Sequence, residues 1–245
     1  MTAAEVRLWG TIIGAVAFDE ENGLGSFEYD PGFLPSGIEV APIAMPLSRR
    51  VYTFPELARQ SFHGLPGLLA DSLPDKFGNA VIDAWLRSQG RSPESFNPVE
   101  RLCYTGNRGM GALEYVPARG PSATESESIE IEKLVQLASD ILRSREDMHV
   151  VIGENAMQEI IKVGSSAGGA RAKAVIAWNE QTGDIRSGQI EAGKGYGYWL
   201  IKFDGVNKNG DKEGDDAPQH TRIEYAYHLM AKDAGIGMNE CRLYE

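Results

Sequence analysis

The chain opens on alternating apolar and polar positions. Val6-Arg7-Leu8-Trp9 and Thr11-Ile12-Ile13-Gly14-Ala15-Val16-Ala17-Phe18 flank Gly10 and predict two short strands around a tight turn. Glu20-Glu21-Asn22-Gly23 adds an Asn-Gly turn, and Gly25-Ser26-Phe27-Glu28-Tyr29 a third strand, so the start reads as an antiparallel meander. Pro31, Pro35, Pro42 and Pro46 break the next stretch into loops. Pro74 suits a helix start, and Lys76 to Leu86 places Phe77, Val81, Ile82, Trp85 and Leu86 on one helical stripe. Pro98 to Tyr104 predicts a short helix, followed by the glycine-rich loop Gly106 to Gly111 and a strand from Ala112 to Val116.

Pro117 to Glu127 is polar and broken by prolines, so the domain boundary is placed there, with units at 1–117 and 128–245. Ile129 to Leu142 predicts an amphipathic helix with Ile131, Leu134, Leu137, Ala138, Ile141 and Leu142 inward, and Glu154 to Ile161 a short one. Ala174 to Trp178, Ile185 to Ile190 and Tyr198 to Phe203 read as strands, with a hairpin-like turn at Asn179 to Gly183. Val206 to Asp216 is an acidic loop. Thr221 to Ala234 is a helix with Ile223, Tyr227, Met230 and Ala231 on one face, stopped by Gly235, and Cys241 to Tyr244 is strand-like. There is no internal repeat and no heptad pattern.

Composition narrows the classes. A net charge of −11 over 245 residues disfavours a broad nucleic-acid-binding surface and suits a basic partner. Cys103 and Cys241 are isolated in apolar stretches, without zinc-ligand spacing, and fit a reducing cytoplasm. His63, His149, His220 and His228 are scattered and read as surface or packing residues. No leader and no apolar run of about 20 residues is visible, so a cytoplasmic protein without a membrane segment is expected.

The candidate chemistry sits in the second half. Gly164-Ser165-Ser166-Ala167-Gly168-Gly169-Ala170-Arg171-Ala172-Lys173 is a glycine-rich, basic-ended loop leading into a strand. Glycines let backbone N–H groups converge on an anion, and Arg171 and Lys173 add positive charge, so a phosphate is a natural guest. The plain alternative is a turn before a strand, since the loop lacks Walker A spacing. Downstream, Lys202 sits inside the apolar run Tyr198-Trp199-Leu200-Ile201-Lys202-Phe203, either as a snorkelling edge residue or, as its neighbours suggest, in a more covered position. Loop, strand, strand lysine and a helix carrying Glu224 follow the order of a kinase-like site, in which the lysine grips phosphates and pairs with a helix glutamate. Glu224 is otherwise a solvated helix charge. The loop Gly106 to Gly111, with Arg108, is read as a structural turn in preference to an anion site, and Asp75 as a helix-start charge favoured by the helix dipole.

These segments together resemble the HipA family, the kinase toxins of bacterial toxin–antitoxin pairs. The likeness runs through Val6 to Trp9 with Gly14 to Val16, the LPDxxGN element at Leu69 to Asn79, and the GxRGMGAL element at Gly106 to Leu113. It continues through the SSxGGARPKA loop at Ser165 to Ala174, the xWIxKF strand at Tyr198 to Phe203, and the ExxYxxLAxxxG helix from Glu224 to Gly235. Ala172 departs from the family's common proline. The resemblance implies an α+β fold: a β-rich N-terminal subdomain, then a kinase-like small lobe of antiparallel sheet and helices.

It also implies an ATP- and Mg²⁺-dependent serine/threonine kinase. Gly168, Gly169, Ala170, Arg171 and Lys173 would face the ATP phosphates, with Lys202 as a second phosphate cation supported by Glu224. Ser166, with Ser165 as the adjacent alternative, would be the autophosphorylation site. A helix-turn-helix antitoxin of the HipB kind would be the partner, DNA being met only through it, and the substrate would be a protein such as an aminoacyl-tRNA synthetase. No HRDxxxxN pattern occurs, and the family's helical lobe with its catalytic and magnesium-binding aspartates is expected to be absent, so no catalytic or metal residue is assigned. The chain is therefore expected to bind ATP phosphates while being inactive alone. The alternative is a non-catalytic regulatory module that binds the antitoxin or a separate lobe.

Overall fold

Trp9 and Gly10 form the two-residue turn of the first hairpin, both at positive φ, 48° and 77°, the combination whose twist matches that of paired strands. The computed structural model describes residues 1–120, 128–144, 172–204 and 219–244. The helix expected at 154–161, the loop residues 165–171 and the acidic loop at 206–216 lie outside the described residues.

The first sheet has the order β3-β2-β1-β4. It comprises β1 (Thr2–Leu8), β2 (Thr11–Asp19), β3 (Leu24–Tyr29) and β4 (Leu113–Val116), with β1–β2, β2–β3 and β1–β4 all antiparallel. Ala4, Val6, Val16, Phe18, Phe27 and Tyr29 are buried on one face, so the period-two pattern is used as one-sided packing, and the register shift between Val6 and Arg7 buries Ile13 out of that phase. Gly14 has to be glycine: a Cβ there would meet the Glu28 carbonyl and stand 2.7 Å from the Phe27 ring. Two one-turn helices, α1 (Arg59–Phe62) and α2 (Gly67–Ala70), and the longer α3 (Lys76–Ser88) and α4 (Pro98–Thr105) follow. Val99, Leu102 and Cys103 of α4 join Leu65 and Leu69 against the sheet. A capping box at Asn97 and Glu100, with Pro98 in the first turn, starts α4 where its sequence pattern places it.

The second sheet has the order β6-β5-β7, with β5 (Lys173–Trp178), β6 (Ile185–Ser187) and β7 (Gly197–Lys202) antiparallel. Helix α5 (Ile131–Ser144) covers it with Ile131, Leu134, Leu137, Ala138 and Ile141 buried. The expected start at Ile129 is displaced because that residue pairs with the sheet edge: Ile129 N donates to Ile185 O at 2.7 Å. Strand β6 ends at Ser187, earlier than the expected Ile190; Gly188 N still donates to Val175 O at 3.0 Å, and a Cβ there would stand 2.8 Å from the Ile176 backbone. One core lies wholly before the expected linker, and the other draws on both sides of it. Phe77, Val81, Ile82 and Leu86 of α3 pack with Leu134 and Ala138 of α5 and with Ala174 and Ile176 of β5.

The last element is α6 (His220–Asp233). Its apolar stripe is not inward: Ile223, Tyr227, Leu229 and Met230 are exposed, as are Tyr198 and Leu200 of β7. The strand expected at Cys241–Tyr244 does not form. Side chains hold the tail there instead, with Arg242 Nη1 2.8 Å from Glu180 Oε2, its guanidinium over the Trp199 ring, and Tyr244 edge-on to Trp178.

Candidate functional site

Two lysines stand opposite each other at one end of the second sheet. The β5–β7 register pairs Lys173 with Lys202, and residues directly opposite in an antiparallel pair share a face. The pairing continues one step outward, with Phe203 N donating to Ala172 O at 3.2 Å. The carbonyl of the residue that leaves the glycine-rich segment is thus tied to the residue following Lys202. Like charges placed directly opposite repel, and each ammonium is met by its own carboxylate.

Lys202 Nζ lies 2.6 Å from Glu224 Oε2 on α6, and the two side chains are 42% and 53% exposed. The sequence suggested a more covered lysine. Of the apolar neighbours that prompted that reading, Phe203 is buried and Ile201 partly so, but Leu200, on the same face of the strand as Lys202, is open to solvent. A pair this exposed contributes about 0–1 kcal/mol to stability, so its interest is its placement. Thr221 Oγ1 donates to Asp204 Oδ2 at 2.8 Å, fastening the start of α6 to the residue two beyond Lys202. Strand lysine and helix glutamate are therefore held together from both elements.

Lys173 is different. Its Nζ lies 2.7 Å from Asp75 Oδ2, with the two side chains only 4% and 6% exposed. Sequence reasoning took Asp75 for a helix-start charge. It does cap α3, accepting from Gly78 N at 2.7 Å with Oδ1, and its second oxygen takes Lys173. The LPDxxGN element has a physical meaning here. Asn79 Nδ2 folds back on the Pro74 carbonyl at 2.7 Å and the Asp75 carbonyl at 3.1 Å, while its Oδ1 accepts from Arg101 Nη1 at 2.8 Å. Arg101 in turn reaches Asp83 at 2.9 Å. The Asp75 carboxylate is thus held by Gly78 N and Lys173 Nζ, while Asn79, itself held by Arg101, braces the backbone carbonyl behind it. Nothing local in the sequence announces a partner 98 positions away. The one available signal was that a lysine bordered by Ala172 and Ala174 needs a counter-charge once buried.

The loop Gly106 to Gly111 takes its structural reading. Arg108 donates to the Tyr104 carbonyl, its guanidinium lies 5.0 Å over the Tyr104 ring, and its own carbonyl accepts from Gln189 Nε2 at 3.3 Å. Burial pushes the Tyr104 hydroxyl well above the usual phenol range. Cys103 is buried in the first core, and that burial raises its thiol, so it is not a ready nucleophile. Ser165, Ser166, Gly168, Gly169, Ala170 and Arg171 lie outside the described residues. Among the described residues no group of His, Cys, Asp and Glu side chains could hold a metal ion, and no helix is long and apolar enough to cross a membrane.

An open groove of about 430 Å³ crosses the first sheet, with Glu5, Glu28 and Asp30 among its lining residues. Its carboxylates make it a poor phosphate site. The lysine end of the second sheet carries cationic donors instead, Lys202 being the exposed one.

Residues 4–116 match the HipA N-terminal domain and residues 165–245 the HipA-like C-terminal domain. No curated protein matches the chain. Among solved structures it is similar to a chain in the complex of the Shewanella oneidensis MR-1 toxin–antitoxin system HipA, HipB and its operator DNA, at 20% identity and a TM-score of 0.41. The similarity covers 75% of this chain and 37% of that one.

Proposed function

The chain belongs to the HipA family, and from that premise we propose that it is the nucleotide-phosphate-binding part of a serine/threonine protein kinase toxin. The observation that carries this reading is the contact of Lys202 on β7 with Glu224 on α6, 2.6 Å apart. In kinase sites a strand lysine held by a helix glutamate is the cation that receives the nucleotide phosphates. An exposed ammonium kept in place by a carboxylate fits that guest, and Arg171 in the adjoining loop adds a further donor. The backbone of Gly168, Gly169 and Ala170 would cradle the phosphates, Lys173 closes the loop, and Ser166 or Ser165 would accept a phosphoryl group.

ATP supplies the transferable phosphoryl group when bound. This chain's own share is binding and orientation: Lys202 offsets phosphate charge, and Glu224 keeps the lysine from collapsing into solvent. No residue here is assigned to orient the acceptor hydroxyl or to ligate Mg²⁺, so binding without turnover is the activity proposed for the chain alone.

The partner proposed is a HipB-like, helix-turn-helix antitoxin, through which DNA is met indirectly. A net charge of −11 suits a basic partner of that kind. The second reading, a non-catalytic module that binds the antitoxin or a separate lobe, draws on the exposed apolar residues Tyr198, Leu200, Ile223 and Tyr227 beside the lysine site.

Calorimetric titration with ATP–Mg²⁺, wild type beside Lys202→Ala, tests the first reading. Binding that the substitution abolishes is expected. Absence of binding to the wild type would transfer the weight to the second.

A further inference from the structure

Each of the two opposed lysines carries one carboxylate, yet their settings are unlike. Lys202 is open to solvent and its partner sits on the neighbouring helix. Lys173 is sealed, and its partner comes from the N-terminal half of the chain. A phosphate arriving from solvent meets Lys202 first. The Lys173 ammonium is already engaged by Asp75 and buried with it.

We propose that Asp75 is a positioning residue for the phosphate site, acting through Lys173 as an internal prop and not as a phosphate ligand. The proposal rests on the reading of the Lys202 face as a nucleotide-phosphate site. Asp75 is immobilised by its cap to Gly78 N and by Asn79 and Arg101 behind it. It fixes the first residue of β5. The register passes that fixed point straight across to Lys202, the last residue of β7, and the Ala172–Phe203 hydrogen bond closes the same end of the ladder. Neutralising Lys173 also removes the repulsion that two opposed ammonium groups would exert, so Lys202 is offered to a phosphate without a competing buried charge beside it. The LPDxxGN element thereby serves the site from outside the kinase-like sheet.

Three variants of the full chain decide the matter: Asp75→Asn, the double variant Asp75→Leu/Lys173→Met, and Lys202→Met. Each is followed by thermal unfolding and by titration with ATP–Mg²⁺ and with adenosine, at a temperature where circular dichroism shows it folded. Asp75→Asn is expected to melt earlier and to lose affinity for ATP by about tenfold or more through misplacement of Lys202, while adenosine binding is unchanged. The double variant replaces the pair by apolar side chains of similar size but also removes the Asp75 cap of α3, so it is expected to regain ATP affinity to within about twofold while its melting temperature recovers only in part. Lys202→Met should melt like the wild type and fail to hold ATP.

A double variant that is folded at the titration temperature but does not bind ATP would mean that Lys173 touches phosphate itself, and would overturn the proposal. So would an Asp75→Asn chain that binds ATP like the wild type. A wild type that binds no ATP is a different result: it removes the nucleotide reading itself, and this proposal with it.

Discussion

Replacing Lys173 by methionine removes the ammonium from a pair whose side chains are 4% and 6% exposed, and leaves the Asp75 carboxylate buried. Breaking a buried pair from one side costs about 3–5 kcal/mol, because the remaining charge has lost its partner. Two features of this site moderate the cost. Asp75 Oδ1 keeps its bond from Gly78 N at 2.7 Å, and the repulsion between Lys173 and the opposed Lys202 disappears. A loss of about 3 kcal/mol is the expected result. For a chain of this size about 1 kcal/mol corresponds to a shift of about 2–4 °C, so Lys173→Met should melt roughly 6–12 °C below the wild type. Lys202→Met, at the exposed pair, should cost under about 1 kcal/mol. Thermal unfolding by circular dichroism at pH 7, with urea titration to check that the slope is unchanged, gives both numbers side by side. If Lys173→Met and Lys202→Met melt within about 2 °C of one another, a scale this shift exceeds several times over, the Asp75–Lys173 pair is not a buried clamp and the reasoning fails.

Other outcomes follow from the same structure. Asp184 is held down to about 2 by hydrogen bonds first from Tyr196 and then from Ser128 and Arg186. Its folded value is below the unfolded one, so its contribution, on the order of 1 kcal/mol after allowance for solvent, is complete above about pH 4 and is lost as pH falls toward 2. Asp184→Asn should flatten that part of the stability–pH curve, and an unchanged acid limb would contradict the assignment. Gly14→Ala forces a methyl group against the Glu28 carbonyl and the Phe27 ring, and should destabilise by about 1–3 kcal/mol by chemical denaturation; a neutral result would mean the β2–β3 contact yields easily. The exposed apolar residues of β7 and α6 should make the chain self-associate. Light scattering across a concentration series should show mass above 26.7 kDa, and a clean monomer at high concentration would refute it.

What the sequence disclosed, and what it withheld, divides along the range of the interactions. The hairpin at Trp9–Gly10, the capped start of α4 and the stripe of α3 are written in neighbouring residues, and they stand where the pattern puts them. Helix α6 shows the limit of periodicity. Ile223, Tyr227 and Met230 do fall on one side of the helix, but the pattern says only that the side is apolar, not that anything covers it. The order of Lys202 and Glu224 could be read from motif spacing, and their contact is a local strand–helix event 22 residues apart. The Asp75–Lys173 pair spans 98 residues, and which carboxylate meets which ammonium at that distance is decided by the packing of α3 against α5 and β5. Arg242 likewise looked like part of a strand, whereas the Trp199 ring and Glu180 determine where it rests.

The shared core of α3, α5 and β5 also sets an order of events during synthesis. Helix α3 is complete at Ser88, while β5 does not begin until Lys173. At about 5–20 residues per second the ribosome needs on the order of ten seconds to deliver the intervening segment. For that interval Phe77, Val81, Ile82 and Leu86 have emerged without the strand that will cover them. The nascent first half thus carries this apolar surface uncovered until β5 arrives, and separating the halves onto two messages would turn a brief wait into a search between molecules.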